Sequence, residues 1–155
     1  MTPVHHERRR TCLAYSPGGH AAELHRALAG ISFADVFHIT FDDGHARPMD
    51  GERRHHVCHP RRSLLRTLLN AVQTAAILLR ERPRLVISTG ADVAVAAVIL
   101  GKLLGAEVVF IETGGTLAPS LAGRLAYPFA DLFIVAWPEK LRAFPRAVLA
   151  SGPLL

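Results

Sequence analysis

The sequence predicts an α/β fold: a mostly parallel sheet with helices on both faces. Three observations lead there. Strand-like and helix-like segments alternate along the chain. The strands read as short apolar runs, as in a sheet covered on both sides. Three of them run straight into glycine, in "YSPGGH", "ISTGAD" and "IETGGT". With 155 residues, 50% of them hydrophobic, the chain is long enough to bury a core as one domain, residues 1–155.

The elements follow in order. "TCLAYS" (11–16) is a first strand and "HAAELHRALAGI" (20–31) a first helix. "ADVFHITF" (34–41) is rich in β-formers and reads as a second strand. Residues 42–54 combine Gly, Pro and charge and read as a loop. "HHVCH" (55–59) is a short third strand. A helical pattern runs from Ser63 to about Arg82 and stops at Pro83. "RLVIST" (84–89) is a fourth strand, 92–105 an apolar helix, and "EVVFIE" (107–112) a fifth strand. A Gly-rich turn and short helix lead to "DLFIVA" (131–136), a helical turn in "PEKLRAF", and a last strand in "AVLAS" (147–151).

Composition narrows the partners. A net charge of +5 and a pI near 10.0 favour an anion, whether phosphate, anionic lipid or nucleic acid, and charge alone does not choose. Cys12 and Cys58 read as small buried hydrophobes. "HHVCHP" (55–60) has no second Cys/His pair at zinc spacing, so no metal is expected. "MTPVHHERRR" lacks the apolar core of a signal peptide, and no stretch reaches the roughly 18 apolar residues of a membrane span.

In a parallel sheet the three strand–glycine junctions share one edge, the carboxyl ends of the strands, where open α/β sheets bind ligands. Glycine lets a ligand approach backbone amides, and free amides at a helix's first turn favour an anion. Gly18, Gly19, Thr89, Gly90, Gly114 and Gly115 are therefore candidate phosphate-binding positions. There is no G-x-G-x-x-G, no P-loop and no G-x-S-x-G. His20, opening the helix after "PGG", is a candidate base or phosphate ligand, or else a water-facing polar residue. Glu112 is a candidate base or sugar-hydroxyl ligand, or a cap of the following turn. Ser120 reads equally as a cap or a ligand contact. Arg124 reads as a diphosphate ligand or a surface residue, Asp92 as an N-cap or first-turn acid with a site role as the second reading, and Trp137 as packed or part of an interface.

"SPGGHAAEL", "RPRLVISTGADVAVAA", "GAEVVFIET", "PSLAGRLAYPFADLFIVAWPE" and "PRAVLASGPLL" resemble, in order and spacing, the acceptor-side subunits of two-component glycosyltransferases. That family includes the subunit that recruits the UDP-N-acetylglucosamine transferase to the membrane in lipid-linked oligosaccharide synthesis. It also includes the PssD-like and CpsF-like proteins of exopolysaccharide and capsule synthesis. More distantly the chain resembles the N-terminal half of MurG-type enzymes. The resemblance implies the Rossmann-like, acceptor-binding half of a GT-B fold, active only with a donor-binding partner subunit. It implies an inverting transfer from a UDP-sugar to a polyprenyl-diphosphate-linked sugar at the cytosolic membrane face, with His20 and Glu112 as the catalytic candidates. It implies no cofactor and no nucleic acid partner. Two alternatives stand beside it: a non-catalytic recruiting scaffold, and a stand-alone nucleotide-binding domain.

Eukaryotic members carry an N-terminal span that is not seen here, so membrane contact is expected to be peripheral. The candidate is 61–84. Leu65, Leu68, Leu69, Val72, Ala75, Ala76 and Leu79 form an apolar stripe, with Arg61, Arg62 and Arg66 at one end and Arg80, Arg82 and Arg84 at the other. Such a helix either lies on an anionic membrane surface or packs that stripe on the sheet as an ordinary crossover.

Overall fold

The computed structural model describes residues 5–44 and 53–152. Its strands are β1 (His5–Ala14), β2 (Ile31–Thr40), β3 (Arg53–His56), β4 (Leu85–Ser88), β5 (Glu107–Ile111), β6 (Leu132–Val135) and β7 (Val148–Leu149). The helices are α1 (Gly19–Ala27), α2 (Leu64–Glu81), α3 (Asp92–Leu103) and α4 (Leu121–Ala126), with 3-10 turns at Tyr127–Phe129 and Pro138–Arg142. The strands form one sheet in the order β3-β2-β1-β4-β5-β6-β7, and every neighbouring pair is parallel. The α/β expectation holds throughout.

Period-2 alternation sends each strand's side chains to two different layers. Cys12, Ala14, Phe37, Ile39, Val86, Val108, Phe110, Phe133 and Val135 pack with residues of α2, α3 and α4. Leu13, Tyr15, Leu85, Ile87 and Ile111 pack with Leu24, Ala21 and Ala27 of α1. Helices therefore lie on both faces, but unequally. Beside α1, a groove of about 560 Å³ runs over Ile87, Val109, Leu132 and Ile134. No helix among the described residues covers it.

Several boundaries differ from the sequence reading. β1 begins at His5, because the charged stretch pairs with β2 from His5↔Ile31 onward, with one irregularity between Glu7 and Arg10. Arg10 holds that extension by an ion pair to Asp35 at 2.6 Å. α1 ends at Ala27, and Gly30 at φ +85° turns the chain directly into β2. β3 begins at Arg53, inside the segment read as a loop. Most of that segment, 45–52, lies outside the described residues.

α2 matches its expected span, with Ser63 as N-cap and Arg82 closing it in the left-handed region before Pro83. Its inward side does not match. Asn70, Thr74, Leu78 and Glu81 are buried, while Leu65, Leu68, Val72 and Leu79 are more than half exposed. The apolar stripe is therefore not what packs α2 on the sheet. Asn70 is held by its side-chain amide, which donates to the Cys58 carbonyl at 2.9 Å and the Val93 carbonyl at 3.3 Å.

α3 meets the sheet through Val93, Ala94, Ala97, Val98 and Gly101. A Cβ on Gly101 would lie 2.7 Å from Val86 Cγ2, so only glycine allows this approach. Gly101→Ala should destabilise the protein by about 1–3 kcal/mol through overpacking, lowering the thermal midpoint by several degrees in calorimetry.

Candidate functional site

The chain runs from β1 leftward to β2 and returns through α2 to β4 on the other side of β1. The crevice of such a sheet opens at this switch point, outside the carboxyl ends of the strands. The loops after β1, β4 and β5 meet there. Call them the first, second and third loops.

Two helices begin at the crevice. α1 starts after Gly18, at φ 86° and ψ −128°, and has no side-chain cap. α3 starts after Ala91, at φ 71° and ψ 159°, and also has none. By contrast α2 is capped by Ser63 and α4 by Ser120. A positive φ at alanine is strained. The first-turn amides of α1 and α3 are the groups that a helix leaves without internal partners. No heavy atom lies within 4 Å of where a Cβ would sit on Gly18 or Gly19. The strained position of the pair is Gly18, while Gly19 already has an ordinary helical backbone.

His20 joins the first and second loops in both directions. Its Nδ1 lies 2.9 Å from the Thr89 carbonyl, and the Thr89 hydroxyl donates to the His20 carbonyl at 2.8 Å. A carbonyl oxygen only accepts. Nδ1 of the neutral ring therefore carries the proton, and Nε2 is left as the acceptor nitrogen.

Glu23, one turn further along α1, joins the first loop to the third. Its Oε1 accepts from the Thr113 hydroxyl and the Gly114 amide, both at 3.0 Å. Its Oε2 stands 3.6 Å from His20 Nδ1. Glu23 is 6% exposed. Sequence reasoning passed over it. The signal was there: an acid three residues after His20, on the side of α1 that carries Leu24 inward.

Glu112 is placed at the edge but is not open to it. Residue 112 is 1% exposed and Lys140 is fully buried. Glu112 Oε1 accepts from the Ser120 amide at 2.7 Å and from Lys140 Nζ at 3.2 Å. Its Oε2 accepts from the Ser120 hydroxyl at 2.9 Å, and that hydroxyl oxygen accepts from the Gly123 amide at 2.8 Å. Lys140 also donates to the Thr113 carbonyl at 2.6 Å. A Cβ on Gly123 would collide with Glu112 Oε2. The carboxylate fixes the third loop and the start of α4, with both of its oxygens buried and hydrogen-bonded.

The other candidates divide. Gly114 spends its amide on Glu23, Gly115 spends its amide on the Thr113 hydroxyl at 3.2 Å, and Gly90 spends its amide on the Ser88 hydroxyl at 3.0 Å. These glycines shape loops and do not present amides. Ser120 is a helix cap, Asp92 is a first-turn acid, and Trp137 donates to the Gly114 carbonyl at 2.7 Å. Arg124 is exposed on α4 and is not among the residues lining the groove beside His20. That groove, about 270 Å³, is lined by His20, Asp92, Val95, Thr113, Leu121 and Leu125 among others. Cys12 is buried, which pushes its thiol well above the usual range. Among the described residues no group of three or more His, Cys, Asp and Glu could hold a metal ion. Within the "HHVCHP" stretch, His55 pairs with Glu81 at 2.8 Å and the His59 ring packs at a tilt against Phe41.

The exposed stripe of α2 begins at the same edge. Leu64 and Leu65 are 89% and 81% exposed, beside exposed Arg61, Arg62 and Arg66. Arg61 and Arg62 both hold positive φ. No helix among the described residues is long and apolar enough to cross a membrane.

Comparisons with known proteins agree with this fold. The family described as "Oligosaccharide biosynthesis protein Alg14 like" matches residues 52–152. The UDP-N-acetylglucosamine transferase subunit ALG14 of Eremothecium gossypii is 35% identical over 85 residues, covering 50% of this chain and 38% of that protein. The UDP-N-acetylglucosamine–N-acetylmuramyl-(pentapeptide) pyrophosphoryl-undecaprenol N-acetylglucosamine transferase of Rubrobacter xylanophilus is 35% identical over 108 residues, covering 69% and 31%. Among solved structures, MurG of Acinetobacter baumannii superposes with a TM-score of 0.70 at 16% identity, over 93% of this chain and 45% of that one. The UDP-GlcNAc 2-epimerase of Neisseria meningitidis gives 0.66 at 12%, over 94% and 46%. The chain thus spans about a third of the length of these two curated relatives and under half of these structures.

The buried pair is the site's main structural liability. Lys140→Met should strand the Glu112 charge and cost about 3–5 kcal/mol, measured by chemical denaturation. Adding Glu112→Gln should recover most of that loss.

Proposed function

The chain belongs to the Alg14-like family of oligosaccharide biosynthesis proteins and has the fold of the N-terminal half of a GT-B enzyme; from that premise we propose that it is the acceptor-binding subunit of a two-component glycosyltransferase. The observation that carries this reading is the state of His20. The ring is held by Thr89, its Nδ1–H is committed, and it lines a groove between two uncapped helix N-termini. Those N-termini suit a diphosphate, and Nε2 suits a hydroxyl that must lose its proton.

In the proposed reaction, the acceptor sugar's hydroxyl gives its proton to His20 Nε2 as its oxygen attacks the anomeric carbon of a UDP-sugar. The bond from that carbon to the diphosphate breaks, UDP leaves, and the configuration inverts. A donor-binding partner holds the UDP-sugar. The requirement for a partner is supported by the half-covered face of β4, β5 and β6. Glu112 and Lys140 hold the third loop and take no proton from the acceptor.

The acceptor is a polyprenyl-diphosphate-linked sugar, presented at the cytosolic face of the membrane. The exposed leucines of α2 with Arg61, Arg62 and Arg66 support a peripheral contact, since lipid suits both the apolar stripe and its cationic end.

Two experiments test this reading. With the partner present, His20→Ala should lower the transfer rate by about a hundredfold or more while acceptor affinity changes little. An unchanged rate would make the chain a recruiting scaffold whose partner does all the chemistry. Replacing Arg61, Arg62 and Arg66 by glutamate should release the folded protein from anionic vesicles in sedimentation, as high salt should also do. Unchanged sedimentation would remove the lipid contact from α2.

A further inference from the structure

Glu23 is half satisfied. Its Oε1 accepts from the Thr113 hydroxyl and the Gly114 amide, while its Oε2 is buried and accepts no hydrogen bond. A buried carboxylate oxygen left in that state is costly and calls for an explanation. Among the described residues the one ionisable group within ion-pair range of it is His20, whose Nδ1 stands 3.6 Å away. We propose that Glu23 is a positioning residue for the transfer: its open Oε2 holds a negative charge ready beside the His20 ring for the moment that ring takes the acceptor's proton. The proposal rests on the reading of His20 as the base and names what stabilises its protonated form.

The two partners of the ring do different work. His20 Nδ1–H donates to the Thr89 carbonyl at 2.9 Å, which sets the tautomer and leaves Nε2 as the acceptor nitrogen. A carbonyl orients the ring but brings no net charge. Once the acceptor O–H bond breaks and the Nε2–H bond forms, the ring carries a positive charge, and a nearby anion favours that form. At 3.6 Å, Oε2 is too far from Nδ1 to take the hydrogen bond from Thr89, so it acts through its charge. While His20 is neutral, the buried carboxylate faces no cation. Protonation at Nε2 turns the two into an ion pair.

The helix supplies the spacing, since residues three apart lie on one face. Other charges at the edge are placed less well. Asp92 also lines the groove, but its side chain is 46% exposed and stands 3.5 Å from His59, and exposed charges are screened by water and salt far more than buried ones. Glu112 and Lys140 answer each other at 3.2 Å.

The test is a double-mutant cycle on the assembled enzyme, with kcat and acceptor KM measured for wild type, Glu23→Gln, His20→Ala and the double variant. Glutamine keeps an oxygen for the Thr113 hydroxyl and the Gly114 amide and removes the charge. Glu23→Gln should lower kcat by about tenfold or more, with KM changed by less than about twofold. With His20 replaced by alanine, the same substitution should cost less than about threefold. A defect in folding or in the third loop would act in both backgrounds, so the cycle isolates the part that passes through His20. A wild-type kcat in Glu23→Gln, an equal loss in both backgrounds, or a raised KM with kcat kept would each overturn the proposal. If His20→Ala itself leaves the rate unchanged, the base reading fails and the role of Glu23 with it. If His20→Ala loses the rate and Glu23→Gln does not, the base reading stands and Glu23 is only a brace between α1 and the third loop.

Discussion

A lysine ammonium fully removed from water, facing a carboxylate equally removed, is tolerable only if each finds the other and their remaining hydrogen-bonding capacity is met. Lys140 and Glu112 meet that condition through the Thr113 carbonyl, the Ser120 amide and the Ser120 hydroxyl. The pair ties β5, the third loop, the start of α4 and the 3-10 turn after β6 into one unit. Glu23 then fastens that unit to α1, and His20 fastens α1 to the second loop. Weaken the buried pair and the position of the third loop is lost first. The His20 groove has that loop as one wall.

This wiring bears on how the edge can move. The three loops are cross-braced by side chains from one another's elements, so they shift together or not at all. None of these three loops is braced so as to fold down over a substrate on its own.

The sheet was legible because buried parallel strands leave apolar runs that few other structures produce, and the three glycine junctions located the edge. The span of α2 was legible from Ser63 and Pro83. Which side of α2 packs inward was not. Asn70 and Glu81 are buried there because the Cys58 and Val93 carbonyls and the His55 ring supply polar partners, and such partners are invisible to hydropathy. Glu112 looked like a base because the lysine that neutralises it lies 28 residues away in sequence. Glu23 was missed because its partners, Thr113 and Gly114, are about 90 residues away. The charged start of β1 did not read as a strand, since its pairing depends on Asp35 and on the register with β2.

β1 is made early but lies in the middle of the sheet. One of its edges is satisfied by β2, which follows it closely. The other waits for β4, beginning with Thr11↔Leu85, and the intervening chain must be synthesised and α2 returned across the sheet before that pairing forms. Until then the nascent chain carries an open strand edge and an apolar face without α3 to cover it. Contacts so far apart in sequence form slowly, and open edges invite pairing with other chains. The same centrality that puts the first loop at the switch point leaves the central strand half-paired until residues 85–103 are in place.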